Sequence, residues 1–143
     1  MLIGEYRTKI NEKKRIAVPK KFRDELGKEL IITRGYENTL VLVDKDRWDR
    51  ITGDVTNGSF INKNIRDISR YLIGSAIEVN PDPQGRVVIS DALCEHAFLE
   101  NDVIFIGLGN WIEIWDRKKW DEKINSLSGE IDDISAELTK VND

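Results

Sequence analysis

One cysteine, one histidine, one methionine and three prolines in 143 residues leave little material for several common chemistries. Cys94 alone cannot build a disulfide framework, and such usage fits a reducing cytoplasm. Together with His96 it is two ligands short of a structural zinc site. Gly107-x-Gly109 has no third glycine, so it reads as a turn between strands and not as a dinucleotide loop. Carboxylates are plentiful, yet no spacing pairs any two of them as acid and base. No run approaches the roughly 18 apolar residues that span a bilayer. The opening MLIGEYRTKI lacks the basic, apolar, then small pattern of a secretory signal. The expectation is a cytoplasmic protein that is not an enzyme. No catalytic residue, metal or cofactor is expected, nor a membrane or small-molecule partner.

What is present is charge, unevenly spread. Hydrophobic residues make up 40% of the chain and charged residues 34%, with a net charge of −4. Residues 1–23 hold eight basic residues (Arg7, Lys9, Lys13, Lys14, Arg15, Lys20, Lys21, Arg23) against Glu5 and Glu12, a balance of +6. Residues 129–143 hold five acidic residues against Lys140, a balance of −4. A basic front and an acidic tail point to a polyanion at one end.

The chain is also a duplication. Arg15-Ile16-Ala17-Val18-Pro19-Lys20-Lys21-Phe22 aligns with Arg86-Val87-Val88-Ile89-Ser90-Asp91-Ala92-Leu93 at an offset of 71. Asn11 and Asp82 each stand four residues before their arginine. Leu40–Asp44 aligns with Ile112–Asp116, and Trp48 with Trp120, at an offset of 72, which implies one residue inserted between helix and strand. Each copy reads as strand, polar turn, strand, short helix, then two strands. First strands are expected at Leu2 to Ile10 and at Ile73 to Val79. Pro19 and Ser90 suit helix starts and Gly27 a helix exit, while Asp44 and Asp116 suit caps of helices carrying Trp48 and Trp120. Such a unit buries too little alone, so both copies should share one pseudo-two-fold β-barrel. The class expected is mainly β with short helices (α+β).

The parts divide as residues 1–52, a linker at 53–72, a second repeat at 73–124 and a tail at 125–143. Within the linker, 53–60 reads as a loop. Ile61, Ile65, Ile68 and Leu72 then mark one apolar helix face, with Lys63, Arg66 and Arg70 on another. In the tail, Trp120, Ile124, Leu127, Ile131, Ile134, Leu138 and Val141 recur with a period of 3.5, as in a coiled-coil seam. That helix docks either on its own barrel or on a neighbouring subunit.

Gly4-Glu5-Tyr6, Ile10 to Arg15 and Pro19 to Arg23 resemble the opening of MraZ proteins. Thr33-Arg34-Gly35, Ser75-Ala76, Asp82 to Arg86 and Glu113 to Asp116 resemble later blocks of that family in the same order. The likeness covers about residues 1–124. It implies a duplicated AbrB-like swapped-hairpin barrel with a C-terminal helix. It also implies a nucleoid-associated bacterial regulator of the division and cell-wall gene cluster. Such a regulator binds repeated promoter boxes in double-stranded DNA as a ring-like homo-oligomer. The family pattern is an Asp-x-x-x-Arg turn in each repeat. Here Asp82, Gly85 and Arg86 keep it, whereas Asn11 replaces the aspartate and Lys14 stands where glycine is usual. Asparagine can still cap a turn, but the charged Asp–Arg pairing cannot form between Asn11 and Arg15. The residues expected at DNA are Arg7, Lys9, Lys13, Lys14, Arg15, Lys20 and Arg86, with Asn11, Asp82 and Gly85 forming turns. The rival reading is an antitoxin-type module holding a protein partner with its acidic tail.

Overall fold

Neither half of this chain closes a core by itself, because each lends its first strand to the other. The computed structural model describes residues 1–142. The first half contains strands β1 (Leu2–Lys9), β2 (Arg15–Ala17), β3 (Leu30–Arg34) and β4 (Leu40–Asp44). Its helices are α1 (Lys20–Leu26) and α2 (Lys45–Thr56). Helix α3 (Lys63–Ile68) and a π-helical turn (Ser69–Ile73) lead to the second half. There β5 (Ile77–Val79), β6 (Arg86–Val88), α4 (Asp91–Ala97), β7 (Asp102–Gly109), β8 (Ile112–Asp116) and α5 (Arg117–Asn142) repeat the plan.

β1 pairs antiparallel with β7, and β5 with β3, so first and third strands are exchanged between copies. Like elements pair with like at the centre, β2 with β6 and β4 with β8. The result is a six-stranded sheet in the order β1-β7-β8-β4-β3-β5, faced by the β2–β6 ribbon. Ile16, Val18, Val87 and Ile89 come from the ribbon and the residues that follow it. They meet Leu40, Leu42, Phe105, Ile112 and Ile114 of the sheet in one core. Phe22 of α1 and Leu93 of α4 complete it. This is the duplicated swapped-hairpin fold, with burial alternating along the strands as period-two patterning requires.

Pairing registers show where the copies differ in length. Arg15 faces Val88 and Ala17 faces Arg86, which keeps the offset of 71. Leu40 faces Ile114 and Leu42 faces Ile112, an offset of 72. Tyr6 facing Phe105 is matched by Ile77 facing Ile32, which sets β3 and β7 73 apart. The single insertion expected from the sequence is therefore two residues added between α4 and β7, and one removed from the following hairpin. In the first copy the chain leaves α1 at Gly27; in the second it leaves at Phe98, likewise at positive φ, and then buries Leu99.

Four other expectations are corrected. Gly53–Thr56 is helical, because α2, capped by Asp44 accepting from Arg47 N at 3.0 Å, continues through it. The first strand of the second copy starts at Ile77 and not Ile73, since the π-helical turn carries the chain as far as Ile73. Ile61 lies outside α3, which Asn62 caps by accepting from the N–H groups of Asn64 and Ile65. Gly107 is strand and not turn. It pairs with Ile112, and a Cβ there would lie 2.6 Å from the β1 backbone at Ile3 N. Only a residue without a side chain lets β1 pass so close.

Helix α5 is anchored at its base. Asp116 caps it, Trp120 sets its ring edgewise against buried Trp115, and the Trp120 indole N–H donates to Glu5 at 2.9 Å. Beyond Leu127 every described side chain of α5 is exposed. Of the two docking alternatives, packing along its own barrel is therefore not what this chain adopts. The side chain of Val141, and Asp143, lie outside the described residues.

Candidate nucleic-acid interface

Two four-residue turns, one per copy, stand at opposite ends of the β2–β6 ribbon. In the first, Asn11 Oδ1 accepts from the N–H groups of Lys13 (2.9 Å) and Arg15 (3.0 Å). Asn11 N donates to Arg15 O, and Lys14 N donates to Asn11 O, each at 3.0 Å. In the second, Asp82 Oδ1 accepts from Gln84 N and Arg86 N, both at 2.9 Å, and Gly85 N donates to Asp82 O. Replacing aspartate with asparagine thus preserves the loop, because one side-chain oxygen suffices for both amides. Lys14 takes the left-handed conformation (φ 61°) that Gly85 takes in the other turn (φ 79°). Each turn is tied to the opposite strand: Ile89 N donates to Lys14 O, and Val18 N to Gly85 O, both at 2.9 Å.

The arginines differ more than the loops do. Arg86 Nε donates to Asp82 Oδ2 at 3.2 Å, an ion pair within its own turn. The Arg86 backbone N–H, above all, holds the Asp82 carboxyl below the usual carboxylate range, with Gln84 N–H and the guanidinium adding to it against partial desolvation. Arg15 has Asn11 where Arg86 has Asp82, and among the described residues its guanidinium has no ion-pair or hydrogen-bond partner, Glu12 of the same turn included. Alternation along the ribbon buries Ile16 and Val87 and leaves Arg15, Ala17, Arg86 and Val88 on the outer face. The cross-strand pairs Arg15–Val88 and Ala17–Arg86 put the two arginines on that face on a diagonal.

The remaining basic residues are spread around this centre. Lys13 and Lys14 sit in the first turn beside Arg15. Arg7 and Lys9 lie on the exposed side of β1, where the chain runs toward that turn; Lys9 is 4.0 Å from Asp102. Lys20 opens α1 and pairs with Asp24 at 2.8 Å. The ribbon thus brings together Lys13, Lys14, Arg15 and Arg86, whereas Arg7 and Lys9 belong to the neighbouring sheet.

Arg23 was not singled out in the sequence, yet it covers the second turn. Its Nε donates to Val18 O at 2.9 Å, and a Cβ at Gly85 would lie 2.4 Å from its guanidinium carbon. Its equivalent at the offset of 71 is Cys94, whose thiol is directed at Ile89 O beside the first turn. Burial pushes that thiol up. The signal was available: a glycine in one turn and a lysine in the other should face side chains of different size.

Comparison with known proteins accounts for the whole chain. The family model described as "MraZ protein, putative antitoxin-like" matches twice, at residues 1–71 and 72–142. A protein of Caldanaerobacter subterraneus subsp. tengcongensis named Transcriptional regulator MraZ is 36% identical over 142 residues, 99% of each chain. One of the same name from Oenococcus oeni is 37% identical over 139 residues, 97% of each. The solution structure of PHS018 from Pyrococcus horikoshii covers 80% of this chain and 88% of its own. At 14% identity and a TM-score of 0.34 that likeness carries no argument. Two family matches in tandem, on a chain whose strands are exchanged between its halves, show that it belongs to the MraZ family.

Proposed function

We propose that this chain is a transcriptional regulator that binds double-stranded DNA through its β2–β6 ribbon and the turns at its ends. The observation that carries the reading is the pair of arginines on the solvent face of a two-stranded ribbon, one of them without an anionic partner among the described residues. A β-ribbon fits the major groove of B-DNA, and an arginine fork reads guanine O6 and N7 for about 1–3 kcal/mol of discrimination. Lys13 and Lys14 contact phosphates, supported by Arg7, Lys9 and Lys20 around the rim. Arg15 is the principal reader. Arg86, held by Asp82, serves mainly the geometry of its turn.

One ribbon is a small reader, so tight binding needs several copies acting on repeated boxes, with effective concentration supplying affinity. A ring-like homo-oligomer on tandem promoter boxes of the division and cell-wall gene cluster meets that need, acting in the cytoplasm at the nucleoid. The parts follow the plan of two repeats (1–52 and 73–124), a linker (53–72) and a tail (125–143). A protein-binding role of antitoxin type is the second reading, favoured by the exposed apolar side chains of α5.

Fluorescence anisotropy on the DNA upstream of its own gene, across a salt series, tests the proposal. The expected result is log-linear weakening with salt, with a slope of about −0.9 per phosphate contacted. No binding at low salt would move the function to a protein partner.

A further inference from the structure

The end of α5 and the α2–α3 connection are each exposed, each apolar, and opposite in charge. Past Leu127 the helix carries Ile131, Ile134 and Leu138, which are 51%, 39% and 59% exposed. Glu130, Asp133 and Glu137 flank them. From Ser128 to Lys140 there are four acidic residues against one basic, a balance of −3. In the connection, Phe60 and Ile61 are 84% and 85% exposed, beside a shallow groove of about 370 Å³ that Val55, Ile65, Arg66 and Arg70 help to line. Across 57–73 there are three basic residues, Lys63, Arg66 and Arg70, against Asp67, a balance of +2. Arg66 donates to the carbonyls of Phe60 (3.0 Å) and Ile61 (2.8 Å), which fixes the loop that presents them; among the described residues its guanidinium pairs with no carboxylate. Neighbouring large apolar residues left in solvent mark a contact surface.

We infer that the acidic end of α5 of one copy docks in the basic groove beside Phe60 of another copy. The helix is continuous from Arg117 to Asn142, so it has no bend by which its end could return to its own groove. Its 3.5-residue seam could instead pair two α5 helices. An antiparallel pair would set Glu130 and Glu137 against like charges, and a parallel pair would set them against uncharged residues and gain no ion pair. The groove answers both features, apolar for Ile131, Ile134 and Leu138, and basic for their acidic flank. Donor and acceptor are different surfaces on the same chain, so the contact is head-to-tail and generates a closed ring or an open filament. This inference rests on the self-association part of the proposed function and supplies its interface.

Light scattering after size exclusion, on the full chain at micromolar concentration and physiological salt, is the test. Glu130→Lys with Glu137→Lys in the tail, and separately Arg70→Glu in the groove with Lys63→Glu on the same helical segment, should each weaken assembly at least tenfold. The four substitutions together should restore it. Dissociation by the tail changes alone, with the groove changes silent, would mean α5–α5 pairing and overturn the inference. So would a wild type that is monomeric, or assembly untouched by either pair. None of these residues lies on the ribbon. Binding of a single DNA box, measured in parallel, therefore reports on the DNA reading by itself, and its failure would leave the assembly result standing.

Discussion

The two hairpin turns share a backbone and differ in what their side chains are free to do. Asn11 and Asp82 each accept from two amides of their loop with nearly the same distances. Only Asp82 has a second oxygen with charge to spare, and Arg86 occupies it. One atom, nitrogen in place of oxygen, thus separates an arginine engaged in its own turn from one that is not. The second turn gains something else, since Arg23 reaches across from the other copy to cover Gly85. Duplication supplied two equivalent ends of a ribbon, and single substitutions made them unequal.

The sharpest way to break this comparison is to remove each arginine in turn. Arg15→Ala should lower affinity for the promoter DNA about 100-fold, the upper part of the range for a bidentate base contact. Arg86→Ala should lower it less than tenfold, with the fold intact by circular dichroism. Equal losses would mean that both ends read DNA alike and that the Asp82 pair is no restraint. The single change Asp82→Asn, with Arg86 kept, should move affinity upward, since it recreates the first turn in the second.

A second contrast concerns the third strands. Position 34 of β3 is equivalent to position 107 of β7, yet one is arginine and the other glycine. β1 runs eight residues and passes over Gly107, while β5 has three and stops short of Arg34. The space so left holds the Arg34 side chain, which donates to Tyr71 O at 3.1 Å and stacks its guanidinium 4.8 Å from the Tyr71 ring centre. Gly107→Ala should therefore destabilise the protein by about 2–3 kcal/mol in denaturant melts, as overpacking against backbone does. A loss under about 0.5 kcal/mol would show that β1 can shift aside.

Much of this was legible in the sequence, and for local reasons. Helix caps at Ser90, Asp44 and Asp116, and the turns at Asn11 and Asp82, depend on side chains reaching amides a few residues on. The repeat itself followed from strand periodicity and the spacing of arginines. What escaped was set by distant neighbours. Gly107 looked like a turn residue because nothing near it in sequence shows that β1 crosses there. Ile73 looked like strand because its π-helical turn is fixed by distant contacts such as Thr33 Oγ1 with Ser75 Oγ and Arg34 Nε with Tyr71 O. In the sequence Arg23 is one of eight charges in the basic front, and only the exchanged pairing places it on the second turn. Among basic residues, sequence gave the cluster, while alternation along a three-residue ribbon decided which of them face outward.

Lys14 offers a smaller but cleaner separation of charge from geometry. A non-glycine residue in the left-handed region costs about 1–2 kcal/mol, against about 0.5–1 kcal/mol of extra chain entropy for glycine. Lys14→Gly should accordingly raise stability by about 0.5 kcal/mol while reducing the salt slope of DNA binding by about 0.9, one phosphate contact. A more stable variant that binds as steeply as wild type would remove Lys14 from the interface. A less stable one would show that its side chain supports the turn.

The smallest expected effect is a titration that one turn has and the other lacks. A carboxyl held below its ordinary value lends stability to its turn above the unfolded aspartate pKa of about 3.9, and that contribution is lost as pH falls through the lower folded value. Asp82 is such a group, held chiefly by the Arg86 backbone N–H. Asn11 has no proton to gain. Nuclear magnetic resonance should therefore show the Gln84 and Arg86 amides shifting together with a midpoint below about 3.9. The Lys13 and Arg15 amides should stay level while Ile16 in the core remains native. If the Lys13 and Arg15 amides move in step, the ribbon couples its two ends, through bonds such as Ile89 N to Lys14 O and Val18 N to Gly85 O. The two arginines would then form one reading unit, and their unequal restraint would no longer predict unequal roles.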